Sequence, residues 1–345
     1  MKTKIFALFI VFGFVLNLIG TTFAESKNKQ TNELVALLPA SDGVMNLDVK
    51  RFFAVALPQI LSGNKEMLDE IYAKIDEFKS NTGIDIRKFD QMAVGVTAKE
   101  ISAKETNYET VSLARGNFSA DSVAKLAKFA SNDKYREEKI GDRTVYIFSP
   151  KEMIEKNKPT AKNAMLQKFL NMILPHLSGE MAVTAYDKKT LAFGTPDKLR
   201  FMLTESKSRI DADLVVLVSR NPSAVMSFAG NMPKGASSFI DLGDDELGQN
   251  IDSIRQMFGS MDVIGENTIV SVTAKTLDVK RAEGLQQNMS DLREVGKAIL
   301  GGSKREDQKM YARLLENAKI SRNGTEVSLD VQVPQSDMNI LVGAK

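Results

Sequence analysis

Two kinds of apolar spacing alternate along this chain, and they do so in the same order twice. Runs with apolar residues at every second position, the spacing of a half-buried strand, occupy Val44–Val49, Met92–Thr97, Tyr108–Arg115 and Val327–Val333. Helical spacing separates them, as in Met67, Leu68, Ile71, Ile75 and Phe78, a run that stops at Thr82-Gly83. Short turns join neighbouring strands: Gly141-Asp142 between Tyr135–Ile140 and Arg143–Phe148, Asp187-Lys188-Lys189 between Met181–Tyr186 and Thr190–Phe193, and Asn323-Gly324. A turn of two or three residues reverses the chain, so the sheets are antiparallel. Helix starts are equally marked. Ser119 precedes Val123, Leu126, Ala127 and Phe129; Ser149-Pro150-Lys151-Glu152 is a capping box; Thr195 and Pro196 open another helix. Two stretches read less regularly. Phe52–Ile60 is helical but interrupted by Pro58, and AKEISAKETN reads as a polar loop between two strands.

After Ser206 the order recurs. Ala224–Ala229 (AVMSFA) echoes GVMNLDV, and Arg255–Ile264 with Thr268–Thr276 forms a second strand pair. Leu277–Leu300 is helical, and Gly301-Gly302 separates it from Arg305–Ala318. FDQMAVGVTAKE and the residues after it resemble IRQMFGSMDVIGENTIVSVTAKT. The expected class is α+β in two related halves, each a mainly antiparallel sheet with helices packed on one face. The halves span residues 34–206 and 212–345, with Ser206–Asp211 as their junction.

The first 24 residues have a different character. Lys2 and Lys4 precede an apolar run, Ile5–Ile19, and Gly20-Thr21-Thr22-Phe23-Ala24 places small residues before a cut between Ala24 and Glu25. That pattern is a secretory signal peptide, and its apolar run is shorter than the roughly 20 residues of a membrane span. Residues 25–33 are polar and form a tether. The expected product is exported, periplasmic or extracellular, with no integral membrane segment after cleavage.

Composition narrows the function classes. The chain has no cysteine, which excludes disulfides, thiol nucleophiles and thiolate metal sites. Apolar residues at 43% and charged residues at 26% are enough to fill and solvate a core. Of 46 basic residues, Lys2 and Lys4 belong to the signal, so the remainder equals the 44 acidic ones. A neutral, well-mixed chain has no electrostatic reason to bind nucleic acid. Asn117, Asn288 and Asn323 begin Asn-x-Ser/Thr triplets, incidental in a bacterial setting.

The chemical candidates are few. His176, in LPHLSG, is the only histidine, and a predicted helix end accounts for it. Ser122 and Lys125 have the serine-lysine spacing of penicillin-binding enzymes, but so do Ser26–Lys29, Ser62–Lys65 and Ser131–Lys134. Asp241, Asp244, Asp245 and Glu246 are the densest acidic run, without the alternation of a calcium loop. Met165, Phe169, Met172 and Ile173 form an apolar helical stripe suited to core packing or to an apolar groove. Phosphate loops and nucleophile elbows are missing, so no catalytic residue, cofactor or metal is assigned.

LLPASDGV, a helical stretch ending NTGIDIRKF, then DQMAVGV and RTVYIF resemble a family of uncharacterised secreted bacterial proteins. The resemblance implies export and a repeated α+β architecture and transfers no site residue. The expected function is non-catalytic: binding or structure in the bacterial envelope, with a protein or an apolar small molecule as partner. The alternatives are a hydrolase with a carboxylate or Ser-Lys centre, and a carrier of an apolar ligand.

Overall fold

The computed structural model describes residues 33–102, 105–151, 179–204, 209–239 and 245–343. The protein is α+β, and its chain divides into two compact units, residues 29–216 and residues 217–345.

In the first unit, β1 (Gly43–Asp48), β2 (Phe89–Ser102), β3 (Glu105–Gly116), β4 (Tyr135–Ile140), β5 (Arg143–Phe148), β6 (Met181–Ala185) and β7 (Thr190–Gly194) form a sheet. Their order is β1-β2-β3-β7-β6-β5-β4, and every pair is antiparallel. The turns lie where the sequence places them; Gly141, at φ +61°, turns β4 into β5. The stretch read as a polar loop is instead the extension of β2 and β3, which stay paired out to Ser102 and Glu105. Cross-strand pairing such as Lys99–Glu109 (3.1 Å) stabilises these polar arms, so a shortage of apolar residues did not end the strands.

Helices α1 (Lys65–Thr82) and α2 (Ala120–Ser131) cover one face of this sheet. Val123, Ala127 and Ala130 of α2 pack with Ile84, Phe89, Ala114, Phe148, Val183 and Leu191, and Phe78 of α1 adds to them. Asn64 caps α1 at Met67 N–H, and Gly83, at φ +77°, ends it in the left-handed conformation the sequence anticipates. Ser119 Oγ accepts from Ser122 N–H and caps α2. Alternate residues point to the other face, where Val111, Leu113, Ala93, Ala192 and Ala182 are fully buried. Leu34, Val35 and Leu38 are fully buried too, as is Leu199 of α3 (Pro196–Thr204), which touches β3, β7, β6 and β4.

Between β1 and α1 lies the run that Pro58 was expected to interrupt. It stays helical in three pieces, Val49–Arg51, Phe52–Ala56 and Leu57–Ile60, and the middle one is a π turn. Leu57 N–H bonds back to Phe52 C=O, five residues earlier. A proline ring clashes with the carbonyl four residues before it, here that of Ala54, and the wider turn accommodates it. After α3 comes a short helix, α4 (Ala212–Val218), that was not anticipated.

In the second unit, β8 (Met226–Asn231), β9 (Ile254–Ile264), β10 (Asn267–Thr276), β11 (Lys319–Asn323) and β12 (Glu326–Pro334) form an antiparallel sheet in the order β8-β9-β10-β12-β11. Helices α5 (Asp245–Asp252), α6 (Val279–Gly301), α7 (Glu306–Asn317) and α8 (Gln335–Leu341) accompany it. Ala282 and Leu285 of α6 pack on Ile254, Ala274 and Val327. Asp278 caps α6 by accepting from Arg281 N–H at 2.8 Å. Asn323-Gly324 makes the expected hairpin, with Gly324 at φ +59°. Gly259 is required at its position, since a Cβ there would lie 2.2 Å from Ser271 C=O.

Candidate functional site

The serine-lysine pair does not assemble into a centre. Ser122 is buried, and its Oγ lies 2.9 Å from Ser119 Oγ. Lys125 is exposed one turn later, where its amine meets solvent rather than the hydroxyl. Ser131 is buried and donates to Lys128 C=O while Lys134 is exposed, and Ser62 and Lys65 are both exposed. A desolvated lysine base next to a free hydroxyl is what this chemistry needs, and the described pairs lack it. Lys125 instead helps line a shallow hollow of about 260 Å³ with Asn81, Lys128, Phe129, Asn132 and Asp133. Asn132 and Asp133 both have positive φ, at 52° and 68°, and Lys128 pairs with Asp133 at 3.2 Å.

The other candidates contribute less. His176, the Met165–Ile173 stripe, Asp241, Asp244, Ser26, Lys29, Ala24 and Glu25 lie outside the described residues. Of the acidic run, Asp245 and Glu246 begin α5. Among the described residues, no group of three or more His, Asp or Glu side chains converges to hold a metal ion. No helix among them is long and apolar enough to cross a membrane.

The first unit also buries a lysine that the sequence did not single out. Lys198, on α3, is only 8% exposed, and its ammonium donates to Ala40 C=O at 2.7 Å. Burial pushes this amine below the ordinary lysine value, against the opposing pull of the Glu109 and Asp42 carboxylates. The loop it grips is the PASD of LLPASDGV. Ser41 Oγ donates to Pro39 C=O at 2.9 Å, and Asp42 accepts from Ala98 N–H at 2.9 Å. Arg209 donates to Leu37 C=O, and Ile210 N–H to Leu38 C=O. Lys198, Arg209 and Ile210 thus fasten residues 37–42 against the sheet. The signal for Lys198 was present: Thr195, Lys198, Leu199 and Met202 share one helical stripe, and Leu199 and Met202 are buried.

The second unit carries a line of paired polar groups on one sheet face. Ser271 Oγ donates to Asp330 at 2.6 Å, Thr273 and Ser328 share a hydrogen bond at 2.8 Å, and Asn221 donates to Ser260 at 3.0 Å. Arg220 lies over the Phe258 ring, 4.4 Å from its centroid, and grips both oxygens of Glu326. That carboxylate raises the Arg220 pKa further. On the helical side, Asp337 is buried and ion-paired with Arg313. Leu292, Val295 and Ile299 of α6 are by contrast 53%, 55% and 72% exposed.

No family model matches this chain, and no curated protein matches it. Among solved structures it is similar to crystal form III of TP0453, with a TM-score of 0.45 and 10% identity over 90% of this chain and 98% of that one. Crystal form I of TP0453 gives a TM-score of 0.43 and 9% identity, over 92% of this chain and 98% of that one.

Proposed function

We propose that this protein is an exported, non-catalytic component of the bacterial envelope that works by binding another protein through its surface. The observation that carries this reading is how its reactive side chains are employed. Lys198, Asp85, Asp252 and Asp337 are each held by a bond that fastens one segment to another, and the Ser122 hydroxyl is taken up by Ser119 Oγ at the start of α2. A hydrolytic centre needs such groups aimed at open space; here they point into the fold. The signal pattern ending at Ala24 supports export, as does the resemblance carried by LLPASDGV and RTVYIF.

The two units support a duplicated module. Each begins with a single strand beside a strand pair, β1-β2-β3 or β8-β9-β10. Each then places the second strand of a late hairpin, β7 or β12, against that pair and follows it with a helix. The first unit has the extra hairpin β4–β5 at its far edge.

The test is genetic and biochemical. The exported fraction should contain a protein beginning at Glu25, and loss of its gene should alter envelope integrity, read as detergent sensitivity. Ser122→Ala and Lys198→Met should restore integrity as well as the wild type does. Recovery of the protein with the cytoplasm, or failure of a folded Ser122→Ala variant to complement, would overturn the reading.

A further inference from the structure

We propose that the exposed apolar seam of α6 is a self-association surface whose occupant is the same helix of a second copy, running antiparallel. This deepens the binding reading above and rests on it. Leu292, Val295 and Ile299 recur at i, i+3 and i+7, the spacing of a coiled-coil seam, and Ala298 beside them is exposed as well. The helix has no need of these residues for its own packing. Ala282 and Leu285 already face the sheet, and Gly296 comes so close to Leu315 of α7 that a Cβ would lie 2.7 Å from it. The C-terminal half of α6 is therefore apolar on its packed side and again along a solvent-facing shoulder. A helix apolar over so wide an arc is characteristic of one covered on both sides.

Charge order identifies the occupant. Asp291, Arg293 and Glu294, net acidic, flank the seam towards the helix start, while Lys297 lies towards its end and Lys304 and Arg305 just beyond Gly301. Local pairs bind some of these charges: Gln287 donates to Asp291, Glu294 holds Arg293 and Lys297, and Arg305 holds Asp307. The gradient from acid to base remains. A parallel copy would set acid beside acid. An antiparallel copy sets the acidic end of each seam beside the basic end of the other, and it also opposes the helix dipoles. An anionic lipid surface fits less well, because Asp291 and Glu294 would face it. Three large side chains over two turns bury less than the roughly 1,200 Å² of a stable interface, so the association is weak and concentration-dependent.

The absence of cysteine makes the test clean. In the protein purified as exported, Val295→Cys should cross-link to a covalent dimer under mild oxidant about tenfold faster than Lys74→Cys, a control on exposed α1. Ile299→Asp added to Val295→Cys should remove that advantage. Ile299→Asp alone should leave the circular dichroism spectrum unchanged and abolish the concentration dependence of the sedimentation coefficient. Equal cross-linking rates, or a monomer at every concentration, would overturn the proposal. So would partition onto phosphatidylglycerol vesicles without self-association, which assigns the seam to lipid instead. A monomeric protein that is exported and still supports envelope integrity leaves the broader functional reading standing and removes this one.

Discussion

The two sheets solve the same covering problem differently. In the first unit both faces are apolar: Ala114, Phe148, Val183 and Leu191 lie under helices on one side, and Val111, Leu113, Ala182 and Ala192 are sealed on the other. In the second unit Val270, Val272, Val327 and Val333 make one apolar face, while Ser260, Ser271, Thr273, Ser328 and Asp330 line the opposite one. The difference shows where tolerance to change resides. A strand packed by apolar groups on both faces has no position at which a side chain is free to vary, whereas hydroxyl pairs on a polar face replace bonds to water at little net gain.

The largest effect should come from Leu113→Ala in β3. It removes a fully buried side chain from the doubly covered sheet and should cost about 2–5 kcal/mol in urea unfolding. A loss below 1 kcal/mol would mean that the second face is looser than its burial implies.

Next is Asp85, which accepts from Arg87 N–H and holds Arg87 and Lys79 at the start of β2. The Arg87 guanidinium, with help from Lys79, holds its carboxyl at about 2. Its folded value lies below the unfolded one near 4, so its stabilisation is complete above that unfolded value and is lost as pH falls towards 2. Asp85→Asn should cost about 1–2 kcal/mol at neutral pH and little at pH 2, a convergence that paired denaturation curves would show.

Smaller still is Lys198→Met. The buried amine gives up hydration for one hydrogen bond, so an apolar replacement of similar length should change stability by less than about 1 kcal/mol. The sign of its pH dependence is distinctive. With the folded value lowered, the unfolded chain binds more protons below the ordinary lysine range, and wild-type stability rises with pH there. The variant should lack that rise, and an identical alkaline profile would contradict the assignment.

The smallest change should be the double substitution Thr273→Val and Ser328→Ala, which removes both partners of one hydroxyl pair. Its expected cost is within about 0.5–1 kcal/mol by thermal unfolding. A cost similar to that of Leu113→Ala would abolish the contrast between the sheets.

The hairpins and capped helices were legible because their signals are local. Gly141, Ser119 and Asn323-Gly324 each act on residues beside them, and the folded chain uses them as read. Lys198 was missed because lysine is ordinarily solvated, although its place between Thr195 and Leu199 on a buried stripe carried the information. The ends of β2 and β3 were missed because pairing between polar arms leaves no apolar alternation to read. Helix α8 was missed because Gln335–Leu341 is short and follows Pro334 directly, with its burial concentrated in Asp337 and Met338. The serine-lysine spacing showed the converse failure: the residues recur at the right interval, and tertiary packing gives each a different environment.

The π turn before Pro58 has a consequence beyond relieving a clash. One extra residue in the winding rotates everything upstream by about 100° relative to an unbroken α-helix. Phe52 and Phe53 stand just there, edge to face at 5.2 Å, and it is Phe53 that packs onto the first core while its carbonyl receives the Tyr72 hydroxyl at 3.1 Å. A single imino acid five residues downstream thus sets the azimuth of the pair, choosing which of two identical rings turns inward.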